Sequence, residues 1–385
     1  MSKPLLLLIV LIEGFITISA EILTMRQLLP ITGNSVVVTS LIIGVFLLFL
    51  AYGYRRGGQY TQHYANVLKN NFTFAAVGLG IGLSYGFVDL FFHFFKSYLT
   101  SNTLAALCGY LFLITAPLVY VLGQTIPITM NLIKQETTVG AIGGKILHLN
   151  TIGSFLGAVL TSLVLMHYFG VAWTVFINCI LAMVLISLLF SNKKTDLVRM
   201  AGLCMLGAFV YNLNITLEHQ LFVKTNAYAN YRIVENTGTK TLQINGSQSS
   251  AISTDNKGLA YIELIKRILF NDLKINDKDV LVLGAGGFTL SAAGEYNNRF
   301  TYLDVDGDIE GVVKQHFLPN IKGKFTAGDA RAFLSSNSNN FDVIVSDVCS
   351  NHLAIPPQLL TQEYFRQIKD GLREEGMDPS IDLCK

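Results

Sequence analysis

The chain has 385 residues, 51% of them hydrophobic and only 14% charged, against roughly 25% charged in an ordinary soluble domain, so a wholly soluble protein is not expected. A formal net charge of +2, dispersed along the chain, excludes a nucleic-acid-binding surface. The five cysteines (Cys108, Cys179, Cys204, Cys349, Cys384) make no CxxC pair and no metal-ligand spacing; no metal is expected, and all five are read as unpaired.

Composition divides the chain. Residues 1–213 carry long apolar runs, whereas 214–385 hold an ordinary mixture of Lys, Asp, Glu and Asn. The first run, Leu5–Ile12, has no small-residue cleavage site after it and continues through Glu13 into Ile22, which favours a retained helix over a signal peptide. A crossing of the lipid bilayer needs about 20 mostly apolar residues. Residues 4–25, 36–54, 72–95, 103–133, 150–169 and 171–191 satisfy this. Residues 198–213 fall short, leaving six or seven crossings open. Gly153 and Gly157 form a GxxxG in the fifth run, a spacing that lets helices approach closely in lipid.

Lys3, Arg55, Arg56, Lys69, Lys134, Lys145, Lys193 and Lys194 fall on one side of these runs, against Arg26 and Lys96 on the other. The positive-inside rule makes the N-terminus cytoplasmic. Six crossings are favoured because the last run is short, giving a multi-pass protein of the cell (inner) membrane with a cytoplasmic C-terminal part. Glu13 and Glu21 lie in the first run, about 80° apart around a helix. Asp89 and His93 stand at i,i+4 in the third, spaced to pair. Such groups either fix helix register or line a path for substrate or ions.

In the C-terminal part, Tyr228–Glu235 and Thr241–Asn245 alternate like strands around Asn236-Thr-Gly-Thr, predicting a β-hairpin. A helix is predicted over Lys257–Phe270, with Leu259, Ile262, Ile265 and Leu269 on one face. The strand Asp279–Leu283 then runs into Gly284-Ala-Gly286-Gly287, where glycines permit close backbone approach to a ligand and a following helix offers free N–H groups. Further strands are predicted at Phe300–Leu303, Lys324–Ala327 and Phe341–Ser346. They end in Asp304, in Gly328-Asp329-Ala330 and in Asp347. Glycine turns and acids at strand carboxyl ends predict a parallel sheet with a nucleoside crevice along that edge. Asp329 capping a helix and Asp304 ending a strand are the plainer alternatives. The fold class is thus an α-helical transmembrane bundle followed by an α/β Rossmann-like domain with a small N-terminal β-hairpin. The expected division is 1–213 bundle, 214–275 connector, hairpin and helix, 276–372 nucleotide-binding domain, and 373–385 tail.

Several ordered motifs resemble the polyamine aminopropyltransferases, the spermidine synthase family, in a form fused behind membrane helices. They are Gly143–Ala158 and the polar first helix, then Gln248-Ser-Ser, Tyr261-Ile-Glu263, the glycine turn and Leu303-Asp-Val-Asp306. Gly328-Asp-Ala-Arg, Asp342–Asp347 and Ile355–Glu363 complete the set. The resemblance implies the S-adenosylmethionine methyltransferase type for the Rossmann-like domain, decarboxylated S-adenosylmethionine (or S-adenosylmethionine) as co-substrate, no prosthetic group, and a small-molecule amine as acceptor. It implies that Gly284, Gly286, Gly287, Asp304, Asp329 and Ala330 hold the donor, that Gln248 and Tyr261 line the substrate side, and that Asp347 takes a proton from the attacking amine. The sequence departs from the family at Gly287, where an acid is usual, at Ser350, where a second acid is frequent, and from Arg373 on, where the residues carry no strand pattern although the family's sheet continues. A methyltransferase on the same crevice, and a transporter or sensor that binds an S-adenosyl compound or polyamine without catalysis, remain the alternatives. Self-association into a homo-oligomer is left open.

Overall fold

The computed structural model describes residues 2–33, 35–133, 139–191, 194–255, 257–292, 297–337, 340–348 and 359–373. The chain divides into two compact units, Met1–Leu221 with Thr225–Ala227, and Phe222–Lys224 with Tyr228–Lys385.

The first unit is helical: α1 (Lys3–Thr32), α2 (Val36–Gly58), α3 (Tyr64–Val77), α4 (Tyr85–Tyr98), α5 (Thr103–Tyr110), α6 (Ala116–Gly123), α7 (Thr125–Leu132), α8 (Val139–Leu160), α9 (Gly170–Leu188), α10 (Lys194–Tyr211) and α11 (Leu217–Leu221). Among the described residues, five continuous runs are long and apolar enough to cross a membrane: Lys3–Thr32, Val36–Gly58, Thr103–Leu132, Gly140–Leu188 and Lys194–Leu221. The fourth has 49 residues, over twice the ~20 one crossing needs. Gly170, at φ 83° and ψ 179°, breaks its helical path between α8 and α9.

Two expectations are corrected. Residues 72–95 are not one straight helix: Tyr64–Gly82 and Tyr85–Tyr98 meet at 73°. Gly78, Gly80 and Gly82 loosen the first segment into a π turn, and Ser84 starts the second by accepting from Phe87 N (3.3 Å). The freed carbonyls are taken up by other helices, Gly82 O by Tyr110 Oη (2.6 Å), Leu83 O by Gln27 Nε2 (3.0 Å) and Gly80 O by Asn214 Nδ2 (2.9 Å). Buried peptide groups need such partners. Asp89 and His93 consequently lie exposed on the short α4, and no hydrogen bond joins them among the described residues.

The last run is not short either. It is helical over 28 residues, Lys194–Leu221, because the polar residues that interrupt its hydropathy are bonded inside the unit. Asn214 is held by Gly80 O, and Glu218 Oε2 accepts from Ala172 N (2.8 Å). Its two ends define the two ends of the bundle. At the first, Leu6 packs with Ile133 and Ile146, and Lys69 of α3 forms an ion pair with Asp196 of α10. At the second, about 30 Å further along α1, Arg26 Nε donates to Asn226 O (2.9 Å) and Val171 N to Thr225 Oγ1 (3.1 Å). The chain therefore leaves the bundle at the end opposite its N-terminus.

The tightest helix pair is α1 with α8. A Cβ on Gly14 would lie 2.4 Å from Asn150 O, on Gly153 2.0 Å from Leu11 O, and on Gly157 2.5 Å from Phe15 O. Glu13 joins the same pair, accepting from Thr17 Oγ1 (2.7 Å) and Asn150 Nδ2 (2.8 Å), an arrangement that fixes register. Glu21, half-buried on α1, makes no hydrogen bond among the described residues. Gly153→Leu is expected to separate these helices, lowering the unfolding midpoint of the detergent-solubilised chain by an overpacking penalty of about 3 kcal/mol or more. An unchanged midpoint would show that α1 and α8 do not touch at this glycine.

The second unit opens with an antiparallel sheet in the order β1 (Lys224–Thr225), β2 (Asn230–Asn236), β3 (Thr239–Ile244) and β4 (Ser247–Ser253). The expected hairpin thus has a further strand, β4, turned by Asn245 (φ 52°) and Gly246 (φ 78°), the Asn-Gly pair that suits a tight hairpin. After α12 (Ala260–Lys266) comes a parallel sheet of β5 (Asp279–Leu283), β6 (Arg299–Asp304), β7 (Lys324–Ala327) and β8 (Val343–Ser346), in the order β7-β6-β5-β8. Helices α13 (Ile309–His316), α14 (Ala330–Ser336) and α15 (Gln362–Gly371) follow β6, β7 and β8. Side-chain alternation buries both faces. Val280 and Val282 pack with Ile262, Ile265 and Phe288, while Leu281 and Leu283 pack with Leu334, Tyr364 and Ile368.

No α-helix follows the glycine turn among the described residues. Gly284 and Gly286 have positive φ, as does Phe288 (58°), and the chain makes only a 3-10 turn, Thr289–Ser291; the expected helix N-terminus is corrected accordingly. Leu372 bridges Phe341 in parallel, and Arg373 bonds Asp342 Oδ2 and Asp279 Oδ2, both at 2.8 Å. The expected tail from 374 onward, and Cys349, Ser350, Ile355–Gln358 and Cys384 within the sequence motifs, lie outside the described residues.

Candidate active site

Strand order places the site. From β5 the chain steps outward through β6 to β7, then returns to put β8 on the other side of β5. Open α/β sheets bind ligands at such a reversal, beyond the carboxyl ends of the strands. Here β5 ends in Gly284 and β8 in Asp347, side by side. Asp347 N donates to Leu283 O (2.7 Å), and a Cβ on Gly284, whose φ is 91°, would sit 2.1 Å from Asp347 O.

Asp347 is half-buried, and desolvation pushes its carboxyl up to about 6, partly offset by a hydrogen bond from Tyr261. The Tyr261 hydroxyl lies 3.2 Å from both Asp347 Oδ2 and Ser249 O. Burial and the neighbouring Asp347 charge raise its own pKa, so it stays a neutral phenol. Opposite, the glycine turn is pinned to β4, where Gly287 N donates to Ser250 Oγ (2.8 Å). The crevice between these walls is lined by Ser250, Tyr261, Gly284, Gly286, Thr289 and Asp347, with room for a single water molecule, about 10 Å³.

Asp304 ends β6 beside the turn. Its Oδ2 accepts from Ala285 N and its Oδ1 from Asp306 N, each at 3.0 Å. Burial raises its carboxyl pKa and the backbone bonds pull it down. Asp329, exposed at the end of the edge strand β7, accepts from Ala332 N (3.0 Å) as the N-cap of α14, which begins at Ala330. The capping alternative is therefore realised in the geometry. Gln248 is exposed on β4 and does not line the crevice; Ser250, two residues on, does. Ser250 stands within Gln248-Ser-Ser, and nothing local in the sequence shows that β4 faces the glycine turn, a contact made only in the fold. Gly287 cannot carry a side chain without displacement, since a Cβ there would meet Phe317 Cε1 and Ser250 Cβ at 2.6 Å. The buried bond from Tyr231 Oη to Asp306 Oδ2 (2.5 Å), tying β2 to the loop after β6, was likewise not foreseen. No group of three or more His, Cys, Asp or Glu suited to a metal occurs among the described residues.

Residues 258–378 match the family profile described as the spermine/spermidine synthase domain. The spermidine synthase of Schizosaccharomyces pombe is 32% identical over 136 residues, covering 32% of this chain and 44% of that protein. A polyamine aminopropyltransferase of Synechococcus is 32% identical over 108 residues, 25% of this chain and 35% of that one. Putrescine N-methyltransferase 2 of Nicotiana attenuata is 26% identical over 176 residues, 43% of this chain and 46% of that protein. The chain thus spans less than half the length of these relatives. Among solved structures, a probable spermidine synthase from Corynebacterium glutamicum aligns at 23% identity with a TM-score of 0.33, over 38% of this chain and 57% of that one.

Proposed function

We propose that the soluble unit transfers an aminopropyl group from decarboxylated S-adenosylmethionine to an amine, with Asp347 as the base. The observation that carries this reading is the half-buried Asp347, hydrogen-bonded by Tyr261 and set against Gly284 at the reversal of strand order. The amine nitrogen attacks the carbon bonded to the donor's sulfonium. The C–N bond forms as the C–S bond breaks, the electron pair stays on sulfur in the departing thioether nucleoside, and the ammonium proton passes to Asp347. An alkylammonium has a pKa near 10, so a base must relieve it before or during attack. In this reading Asp304 and the glycine turn hold the ribose side, Asp329 and Ala330 the adenine side, and Tyr261 and Ser250 the acceptor side. Equilibrium dialysis of the full chain against labelled donor tests it. One saturable site, cleared by competing methylthioadenosine, is expected; absence of saturable binding overturns the reading.

The same geometry gives a pH dependence. Asp347 accepts a proton only when ionised, and its pKa is raised to about 6. Log kcat/KM is expected to climb with a slope near one below about pH 6 and to level off above it, where Asp347 is ionised and the acceptor still arrives as its ammonium. A profile flat between about pH 5 and 7 would remove Asp347 as the base.

One observation favours methyl transfer as a second reading. The side of Gly287 is filled by Phe317 and Ser250, so no acid stands there for the ammonium of a decarboxylated donor. S-adenosylmethionine, whose carboxylate balances its own ammonium, needs none.

The helical runs are read as a membrane anchor. With the basic loops in the cytoplasm, six crossings leave the soluble unit cytoplasmic, whereas a seventh along Lys194–Leu221 puts it, and the donor it needs, on the opposite face. Protease added to sealed right-side-out vesicles separates the two: protection until lysis is the result expected from six crossings, and digestion of the soluble unit would overturn the cytoplasmic placement.

A further inference from the structure

We propose that Tyr231, on the antiparallel sheet, is a positioning residue of the nucleoside site: its hydroxyl holds Asp306, and through Asp306 the carboxylate of Asp304 that receives the ribose. The inference rests on reading the crevice as a nucleoside site and holds for either donor.

The residues form one chain of hydrogen bonds inside the soluble unit. Asp304 ends β6, and its two oxygens accept from Ala285 N of the glycine turn and from Asp306 N, each at 3.0 Å. A carboxylate offers about four acceptor positions. One bond to each oxygen therefore leaves a position on each, which matches the two adjacent hydroxyls of a ribose. That match depends on the carboxylate being held in one orientation, and both amides that hold it belong to loops. The loop after β6 is shaped from within, where Asp308 N donates to Asp306 Oδ1 (3.0 Å) and Ile309 N to Asp306 O (3.3 Å). Two contacts then tie it to the antiparallel sheet. Tyr231 Oη of β2 donates to Asp306 Oδ2 at 2.5 Å, and Lys224 Nζ of β1 meets Asp308 Oδ1 at 2.7 Å.

The first contact is buried. Tyr231 is 1% and Asp306 4% exposed, so bulk water cannot replace the bond, and a buried acceptor that loses its donor is costly. Burial and the adjoining Asp306 charge raise the phenol's pKa, which keeps the hydroxyl protonated and donating. Tyr231→Phe removes that one oxygen and leaves the ring in the core it shares with Ile262, Phe288 and Val313. Asp306 is then loosened, and Asp304 with it. The consequence falls on the ribose hydroxyls and spares the contacts of the base and the sulfur.

Equilibrium dialysis of the full chain against labelled methylthioadenosine, and against its analogue lacking both ribose hydroxyls, tests this. Wild type is expected to bind methylthioadenosine more tightly than the analogue. Tyr231→Phe is expected to weaken methylthioadenosine about tenfold and to change the analogue's Kd by less than about twofold. Kd reports the positioning and the number of sites reports folding, so a partly unfolded variant remains readable. Should Tyr231→Phe leave no sites, Lys224→Met carries the test, with the same ligand dependence reduced to about twofold. Equal weakening of both ligands, or no weakening of methylthioadenosine, overturns the positioning role and leaves the nucleoside site standing. Equal binding of the two ligands by wild type overturns it too, because Asp304 then receives no ribose. No saturable binding of either ligand by wild type overturns both this inference and the proposed transfer.

Discussion

Asp347→Asn is expected to lower the turnover of alkyl transfer by about 10²–10⁴-fold while the soluble unit becomes no less stable. The two halves of this expectation share one cause. Burial raises the carboxyl pKa from its ordinary value to about 6, so the folded unit binds that proton more tightly than the unfolded chain does. The stability this lends is complete below the unfolded pKa, near 4, and is lost as pH rises through about 6. At neutral pH the ionised Asp347 therefore weighs against the fold, by about 3 kcal/mol at most. Asparagine removes that charge while keeping an oxygen for Tyr261. Full-chain kinetics together with a thermal melt at pH ~7.5 check both halves. A variant that melts well below the wild type would mean that loss of activity reports unfolding; a stable variant with normal turnover would sink the general-base role.

Gly284→Ala carries the second large effect. Its φ of 91° strains any residue with a Cβ, and the new atom would lie 2.1 Å from Asp347 O. Both β5 and β8 are held in register by backbone bonds up to this point, so neither yields cheaply. A loss of about 3 kcal/mol or more is expected, and transfer should fall with it because the base sits on the displaced peptide. Gly311→Ala on α13 is the control. Nothing lies within 4 Å of a Cβ there, and alanine favours a helix. Limited proteolysis of the two full-chain variants separates the outcomes: rapid cleavage of Gly284→Ala beside a wild-type rate for Gly311→Ala. Equal rates would show that the β5–β8 junction is looser than its geometry implies.

The parallel sheet was legible because each of its strands is a short apolar run stopped by a glycine or an acid. That punctuation gave Gly284, Asp304, Asp329 and Asp347 their common edge. The strand β4, Ser-Gln-Ser-Ser-Ala-Ile-Ser, has no such pattern; it is paired by the Asn245-Gly246 turn and by β3, and the contact of Ser250 with Gly287 is tertiary. Commitment of Asp304 to two backbone amides was invisible for the same reason.

Hydropathy misread two helical segments in opposite senses. It passed over the glycines that bend 64–98, since glycine is apolar, and it stopped at Asn214 and Glu218, whose polarity is absorbed by Gly80 O and Ala172 N. Polar side chains that bond to a broken backbone or a helix start look, in sequence, like the end of a helix. The close approach of α1 to α8 through Gly153 and Gly157 was readable from spacing, although not that Gly14 and Glu13 complete it.

The most direct measurement is a single-turnover reaction of the full chain with decarboxylated S-adenosylmethionine and amine, in which nucleoside and amine products are quantified together. Aminopropyl transfer predicts methylthioadenosine and aminopropylated amine in equal amounts, both lost in Asp347→Asn. Thioether nucleoside without alkylated amine, or neither product from a chain that binds the donor, would contradict transfer at this crevice.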